Sequence, residues 1–499
     1  MANYKHANYK HGVYISETGT SLIPTVRVES ALPFVVGTAP INQVAAGSRK
    51  INEPVLINSY AEAVKYFGFE AAQVFNDKGD KKFAHGLCEF MYANFNFYGI
   101  VPCIFVNVLD PSVHKSEVTA QTVTIKDASG TLKVLGVLAE SIVVTNGQTG
   151  DDLVTYVAGT DYETAFDENG YLVINWIGSD LPSDVSVSGY KIDPSLVTKA
   201  DIIGGINAST GKRKGLELIN DVYPKFRVVP TLVLAPGYSS DPEVAAIMAA
   251  KAVLINGNFR AMALCDAPAN ENVQVYSSVP SWKNQNNLVL TQQILCWPMV
   301  RNTETLYHAS VHMAGVIGVT DNAYGGVPYC SPSNKNASIT GLCLEDGSEV
   351  VFGNEEANYL NGQGIVTFLN FNQGWTIWGN RTCCYPGVTD PKDAFIPVRR
   401  MFQWVGNTII LTIFQKVDEP GNRRLIETIV NSLNVWLNSL VARQQLLGAR
   451  VLFREEDNPT TELMDGIYHF KVFMTPPSPA EDLEFNLEID TGYYDTLFG

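Results

Sequence analysis

The C-terminal stretch from Arg399 to Asp490 constrains this chain most. It reads RRMFQWVGNTIILTIFQ, then EPGNRRLIETIVNSLNVWLNSL, then LLGARVLFREEDNPTTELMDGIYHFKVFMTPPSPAEDLEFNLEID. The pattern predicts a strand, an amphipathic helix, two further strands, and a final strand on a tail behind prolines. That final strand alternates: Leu483, Phe485, Leu487 and Ile489 face one way, Glu484, Asn486, Glu488 and Asp490 the other. A half-buried strand needs a sheet to join. The Pro476-Pro477-Ser478-Pro479 spacer is stiff and extended. The strand can therefore be held away from its own domain and added to a neighbour's sheet edge, which is the habit of an assembly protein rather than an enzyme.

The predicted helix runs from Asn422 to Arg443. Ile426, Ile429, Leu433, Trp436, Leu437 and Leu440 form one wide apolar stripe. Pro420 suits its start and Asn422 can cap it. Its ends are basic, with Arg423, Arg424 and Arg443. The stripe would pack inward on a sheet while the arginines meet a partner.

A chain of 499 residues exceeds one ordinary core, so two to four domains are expected. Only 17% of residues are charged, while 23 Phe and 22 Tyr are present, which points to surface buried between subunits. A net charge of −16 disfavours nonspecific nucleic-acid binding. No apolar run is long enough to span a bilayer, and the first residues lack the apolar stretch of a signal peptide. Eight cysteines are scattered without paired spacing, as expected of buried thiols made in a reducing cytoplasm. The adjacent Cys383 and Cys384 would point to opposite faces if they lay on a strand.

Residues 1–30 read as an arm. Leu32–Pro40 and Val101–Val108 read as buried strands, with helices at Ser59–Phe67 and Phe83–Phe97 between them. From 112 to 196 short β runs alternate with turn signals at Ser129-Gly130, Asn146-Gly147 and Asn169-Gly170, which predicts an inserted β-sandwich or small barrel. Mixed α/β character returns after 200, with a helix at Asp241–Asn256 capped by Asp241 and with Pro242 at its first position. Residues 273–390 read as loop-rich, with a helix near 305–316.

Candidate chemistry is sparse. GGINASTGKRKG fails the phosphate-loop spacing, because Ile206 stands where glycine is needed and Arg213 where Ser or Thr is needed. His308 and His312 would share a helix face, but no Glu lies between them. Glu455-Glu456-Asp457 is a carboxylate run with no nearby histidine and reads as a solvated turn. No catalytic site, cofactor site or metal site is predicted.

These residues carry a resemblance. GVYISE at Gly12–Glu17, PFVVGTAP at Pro33–Pro40, SPSNK at Ser331–Lys335 and the end from Arg399 to Ile489 are similar to the tail sheath proteins of contractile bacteriophages and related contractile injection systems. In the end region the match includes Pro420, Leu437, Leu440, Gly448, Asn458-Pro459, Gly466 and Pro479-Ala480-Glu481. The resemblance implies an α/β (α+β) multidomain fold: a sheath core with extended N- and C-terminal β-arms and an outward-facing inserted β-domain. The divisions expected are 1–30 for the N-terminal arm, 31–111 and 197–390 for the core, 112–196 for the insertion, 391–479 for a C-terminal sheath domain and 480–499 for the C-terminal β-arm.

The resemblance also implies a function. Subunits polymerise as six-fold rings around an inner tube, arms donate strands to neighbours, and contraction drives the tube through a target envelope. The implied partners are further copies of the chain, the inner tail tube protein, and baseplate and tail terminator proteins, with no nucleic acid, no membrane insertion and no cofactor. Assembly would take place in the bacterial cytoplasm, as part of a phage tail or injection particle. Val13, Tyr14 and Ile15 join Leu483, Phe485, Leu487 and Ile489 as expected arm contacts. Arg423, Arg424 and Arg443 are the expected tube contacts.

One feature departs from the family pattern. Ala2-Asn3-Tyr4-Lys5-His6 is repeated verbatim as Ala7-Asn8-Tyr9-Lys10-His11. A lengthened tether predicts impaired contraction. The competing readings are a non-contractile structural tail or surface-assembly protein, and an enzyme with an appended β-domain. The latter lacks a complete catalytic constellation.

Overall fold

A run of strands too apolar to alternate must be covered on both faces, and the largest sheet is built from such runs. PFVVG at Pro33–Gly37, CIFVN at Cys103–Asn107, MALCD at Met262–Asp266 and QILC at Gln293–Cys296 are buried throughout. In this computed structural model, which describes residues 22–372 and 374–498, they belong to an eight-stranded sheet. Its order is Val55–Ile57, Cys103–Asn107, Pro33–Gly37, Leu232–Leu234, Met262–Asp266, Gln293–Cys296, Ile365–Asn370 and Trp375–Trp378. The interior strands run parallel, and the two edge strands are antiparallel to their neighbours.

Its helices start where the sequence places caps. Ser59 Oγ accepts from the Glu62 N–H at 3.2 Å to open Tyr60–Phe67, and Asp241 Oδ1 accepts from the Glu243 N–H at 2.9 Å to open Pro242–Val253. The second helix is shorter than predicted, Gly86–Ala93, and continues as a π turn over Asn94–Tyr98. Residues 273–390 hold far more strand than a loop-rich reading allows. Met299–Asn302, Thr305–Tyr307 and Gly341–Cys343 are central to a second, six-stranded sheet.

The chain divides into two compact units. The first contains the sheets just described and comprises Val28–Ile410 with Pro476–Gly499. Within it, residues 115–192 form a three-stranded sheet (Tyr162–Phe166, Leu172–Trp176, Ser129–Leu132) and a four-stranded sheet (Lys115–Thr124, Asp184–Ile192, Val143–Thr145, Thr155–Tyr156). One apolar cluster joins them, with Val123, Leu132, Val144, Leu172, Ile174 and Val187 at its centre. The turn expected at Ser129-Gly130 lies instead at Asp127-Ala128, whose φ values are 50° and 61°. Gly130 sits within a strand because a Cβ there would approach Ile125 Cδ1 to 2.6 Å and Val123 Cγ1 to 2.7 Å.

The second unit is residues 22–27 with Leu411–Thr475, as far as it is described. Arg423–Ala442 is helical, and Asn422 Oδ1 accepts from the Leu425 N–H at 3.0 Å. Ile429, Leu433, Trp436, Leu437 and Leu440 are buried, against a hairpin of Gly448–Phe453 and Phe470–Thr475. The Ile23 N–H donates to Ser432 Oγ at 2.9 Å, which ties the incoming N-terminal segment to the same helix.

One strand prediction needs correction. RRMFQWVGNTIILTIFQ is not a strand; Ile396–Ile413 is a helix. Met401, Trp404, Val405, Thr408 and Thr412 are buried at helical spacing, and this period outweighs the β-branched run Thr408-Ile409-Ile410. The alternating segment Leu483–Ile489 pairs with no strand among the described residues.

Residues 112–196, produced alone, should show a β-type circular dichroism spectrum and melt cooperatively, because their buried cluster draws only on residues within that range. A random-coil spectrum would contradict this.

Candidate assembly surfaces

The root of the C-terminal tail is fixed by one side chain. Arg381 Nε donates to Glu481 Oε1 at 3.1 Å, and its Nη2 meets Glu481 Oε2, a two-pronged contact that a planar guanidinium makes best. The same guanidinium lies over the rings of Phe395, 3.8 Å from the centroid, and Tyr385, at 4.4 Å. The stretch Pro477–Asp482 closes one side of a cleft of about 740 Å³, and Ser331, Ser333, Asn334 and Lys335 of the SPSNK motif line the other. Two motifs distant in sequence thus meet at one place.

Past Glu481 the tail lets go. Residues 482–489 make no hydrogen bond among the described residues. Leu483, Phe485, Leu487 and Ile489 are 69%, 82%, 95% and 81% exposed. Exposed apolar residues scattered singly need no explanation, but an alternating row on an extended backbone is a strand without its sheet. Thr491–Leu497 follows as a short helical turn that exposes Tyr493, Tyr494 and Leu497, with Phe498 exposed beyond it. The sequence reading did not single out this aromatic end.

The arginines of the long helix are exposed. Arg423 reaches Glu427 at 2.7 Å and is 91% exposed, so the pair contributes little. Arg424 forms no ion pair among the described residues, and Arg443 Nε donates to the Ser439 carbonyl at 3.1 Å. The three do not converge on one intramolecular site. Val13, Tyr14, Ile15 and the duplicated Ala2–His11 lie outside the described residues.

The candidate chemistry resolves into structure. His308 and His312 do not share a site, because the helix begins at Ala309 and His308 precedes it. His308 Nδ1 lies 2.9 Å from Glu89 Oε2, whereas His312 Nδ1 lies 2.7 Å from the Tyr98 hydroxyl. Burial pushes the His312 imidazole down to about 3. Burial also opposes charge on His308, but the Glu89 carboxylate prevails and lifts it to about 9. Ser310 Oγ donates to Asp266 Oδ2 at 2.6 Å, and Ser239 Oγ to the same oxygen at 2.9 Å. Ser310 is fully buried and bonded to a carboxylate rather than to a histidine, so this Ser/His/Asp company, unnoticed in the sequence, is a packed polar network and not a nucleophile with its base.

The remaining candidates behave likewise. Cys383 and Cys384 lie in a turn, not on a strand, and both are buried. Gly205–Ile206 pairs with Arg213–Lys214 as a small hairpin, and Asn207 Oδ1 accepts from the main chain of Ser209 and Thr210 where a phosphate cradle would need free amides. Glu456 pairs with Arg454 and Asp457 with Lys471. Among the described residues no cluster of three His, Cys, Asp or Glu could hold a metal ion, and no helix is long and apolar enough to cross a membrane.

No protein-family profile matches the chain. The tail sheath protein of Burkholderia phage BcepMu is 30% identical to it over 99% of each chain. The chain belongs to the tail sheath protein family. The tail sheath protein of Escherichia phage P2 is 25% identical over 60% of this chain and 73% of its own length. A putative prophage major tail sheath protein of Pseudomonas aeruginosa is 27% identical over 58% and 72%. Among solved structures, the contracted sheath complex of the extracellular contractile injection system PVC superposes with a TM-score of 0.56 at 17% identity, over 97% and 98% of the two chains. The contracted helical sheath of the anti-feeding prophage gives 0.55 at 17% identity, over 96% and 99%. These likenesses share the α+β multidomain sheath fold, and the relatives are structural sheath proteins.

The His308–Glu89 pair makes the sheath subunit sensitive to alkali. A folded-state value above the unfolded one gives stability that is complete below about 6.5 and lost as pH rises through about 9. Thermal melts at pH 6 and pH 9.5 should therefore differ, and His308→Gln should remove on the order of 3 kcal/mol of that difference. An unchanged pH dependence in His308→Gln would contradict the assignment.

Proposed function

We propose that this sheath subunit polymerises as six-fold rings around an inner tube and contracts to drive that tube through a target cell envelope. The observation that carries the reading is the tail beyond Glu481: an alternating strand of exposed Leu483, Phe485, Leu487 and Ile489, held at its root by Arg381 and hydrogen-bonded to nothing in its own described chain. A donated strand gains main-chain hydrogen bonds and buries its apolar face only when a second subunit supplies the sheet. The Gly448–Phe453/Phe470–Thr475 hairpin, a sheet of only two strands, is the natural acceptor. Val13, Tyr14 and Ile15 of the N-terminal arm act in the same way.

The wider assignment follows from this reading. Residues 31–111 and 197–390 form the sheath core, 112–196 an outward insertion, 391–479 the C-terminal sheath domain, and 1–30 and 480–499 the arms. Arg423, Arg424 and Arg443 contact the inner tube; their exposure leaves them available to a partner. Baseplate and terminator proteins bound the polymer at its ends. Assembly takes place in the bacterial cytoplasm without a cofactor or catalysis, because the free energy is stored in the packing of the extended state. The alternative, a non-contractile structural tail protein, has no observation in its favour.

The five extra residues of the Ala2–His11 duplication add roughly 17 Å of extended reach to the N-terminal tether. A slack tether passes on less displacement from ring to ring, so this chain assembles but contracts poorly.

Negative-stain imaging of three chains tests both statements. The full chain should give striated cylinders that stay extended after acid or denaturant. A chain lacking residues 2–6 should give cylinders that shorten and widen under the same treatment. A chain lacking 480–499 should stay as soluble subunits. Normal cylinders from the last chain would overturn strand donation. Equal contraction of the first two would make the duplication mechanically silent.

A further inference from the structure

The tail leaves its last strand at Thr475 and is next held by a polar contact at Glu481. Between them Pro476 is buried, and Pro477 and Pro479 are half-buried. Residues 476–480 make no hydrogen bond among the described residues. From Glu481 to Asp490 every residue is exposed. Glu481 is thus the last point at which the chain grips its own tail, and the grip is one side chain, Arg381.

Arg381 is itself firmly seated. Its side chain is 16% exposed, against 37% for Glu481. The rings of Phe395 and Tyr385 fix the plane of the guanidinium, so both prongs face the carboxylate. The turn beneath is tied into the core. Arg381 forms a main-chain bridge with Phe395, and the Thr382 N–H donates to the Ala394 carbonyl at 2.9 Å. The Cys383 N–H donates at 2.9 Å to the carbonyl of Gln293, on an interior strand of the large sheet. The buried Lys283 Nζ donates to the Tyr385 carbonyl at 2.8 Å. A pull on the tail therefore enters the large sheet through this turn.

We infer that Arg381 is the fixed point of the C-terminal tether and sets its working length. The inference rests on the reading that Leu483–Ile489 is donated to another subunit. With Glu481 held, only Asp482 and Leu483 separate the fixed point from the donated strand, about 7 Å of extended chain. With Glu481 released, the fixed point falls back to Thr475, and residues 476–483 span about 26 Å. A tether matched to its span keeps the strand near its acceptor, and slack lowers its effective concentration. Arg381 holds the tail short. Lysine would not replace it, since a point charge lacks the planar fork.

Insertions on either side of Glu481 test this, read as the subunit concentration above which cylinders pellet. Gly-Ser-Gly is placed between Ser478 and Pro479, behind the fixed point, or between Asp482 and Leu483, beyond it. Each adds about 10 Å of reach. Ser478 and Asp482 are exposed, and circular dichroism of the soluble subunits checks that each variant folds. The insertion behind the fixed point should leave assembly unchanged, because slack there is not transmitted. The insertion beyond it should raise the assembly concentration several-fold. Arg381→Ala should raise it as well, and in that variant the insertion at 478/479 should raise it again.

Equal effects of the two insertions in the presence of Arg381 would overturn the inference, because the tether would then be measured from a point before Ser478. An insertion at 478/479 that stays silent in Arg381→Ala would overturn it too, with the prolines and not Arg381 holding the tail. So would a silent insertion at 482/483 in a protein whose 480–499 deletion stays soluble. Failure of strand donation itself reads out separately, as cylinders formed by the chain lacking 480–499.

Discussion

Unmet main-chain hydrogen bonding at a strand edge is the constraint on which the other features depend. Two segments carry it: the outer edge of the hairpin at Phe470–Met474, and the tail from Asp482 to Ile489. Each could satisfy the other, and neither finds a partner within the described chain. Every hydrogen bond formed between them is worth about 0.5–1.5 kcal/mol net, and each of Phe485, Leu487 and Ile489 about 1.5–3 kcal/mol when buried. Against this stands the cost of ordering the tail, about 1–2 kcal/mol per residue for the backbone. The balance per subunit is modest. Repeated along a polymer, it becomes strong while each link can still rearrange. The Arg381–Glu481 contact lowers the ordering cost by fixing where the tail starts.

The core shows the opposite character. Its parallel strands are buried on both faces, and Arg400 reaches Asp321 at 2.5 and 3.0 Å with both side chains almost fully enclosed. Arg400 Nη2 also donates to the Ser30 carbonyl at 3.0 Å. Breaking such a pair would leave an uncompensated buried charge, costing several kcal/mol. His308, His312 and the acidic Asp266 are bonded into the same interior. A packed core with an unpartnered tail strand is what a polymer subunit requires.

Much of this was legible in the residues, and the reasons are local. The capped helices at Ser59, Asp241 and Asn422 were read correctly because side-chain capping is a short-range signal. The buried strands at Pro33–Gly37 and Cys103–Asn107 were read from their continuous apolar runs. The helix at Ile396–Ile413 was misread because Ile409 and Ile410 carry strand propensity, while its helical period is carried partly by the polar Thr408 and Thr412. The Ser129-Gly130 turn was misplaced because glycine there answers a steric demand from Ile125 and Val123 rather than a turn. The Arg381–Glu481 clamp and the Asn434–Val451 hydrogen bonds could not be read at all, since each joins residues whose proximity depends on the finished fold.

The central claim is that the tail of one subunit completes the sheet of another. A reconstruction of the assembled sheath by electron cryo-microscopy, at a resolution that traces side chains, tests it directly. The account predicts continuous density from Glu481 of one subunit into the hairpin sheet of a different subunit, with Phe485, Leu487 and Ile489 buried. Density that folds residues 483–489 back onto the hairpin of their own chain, or leaves them free in solvent, would contradict it.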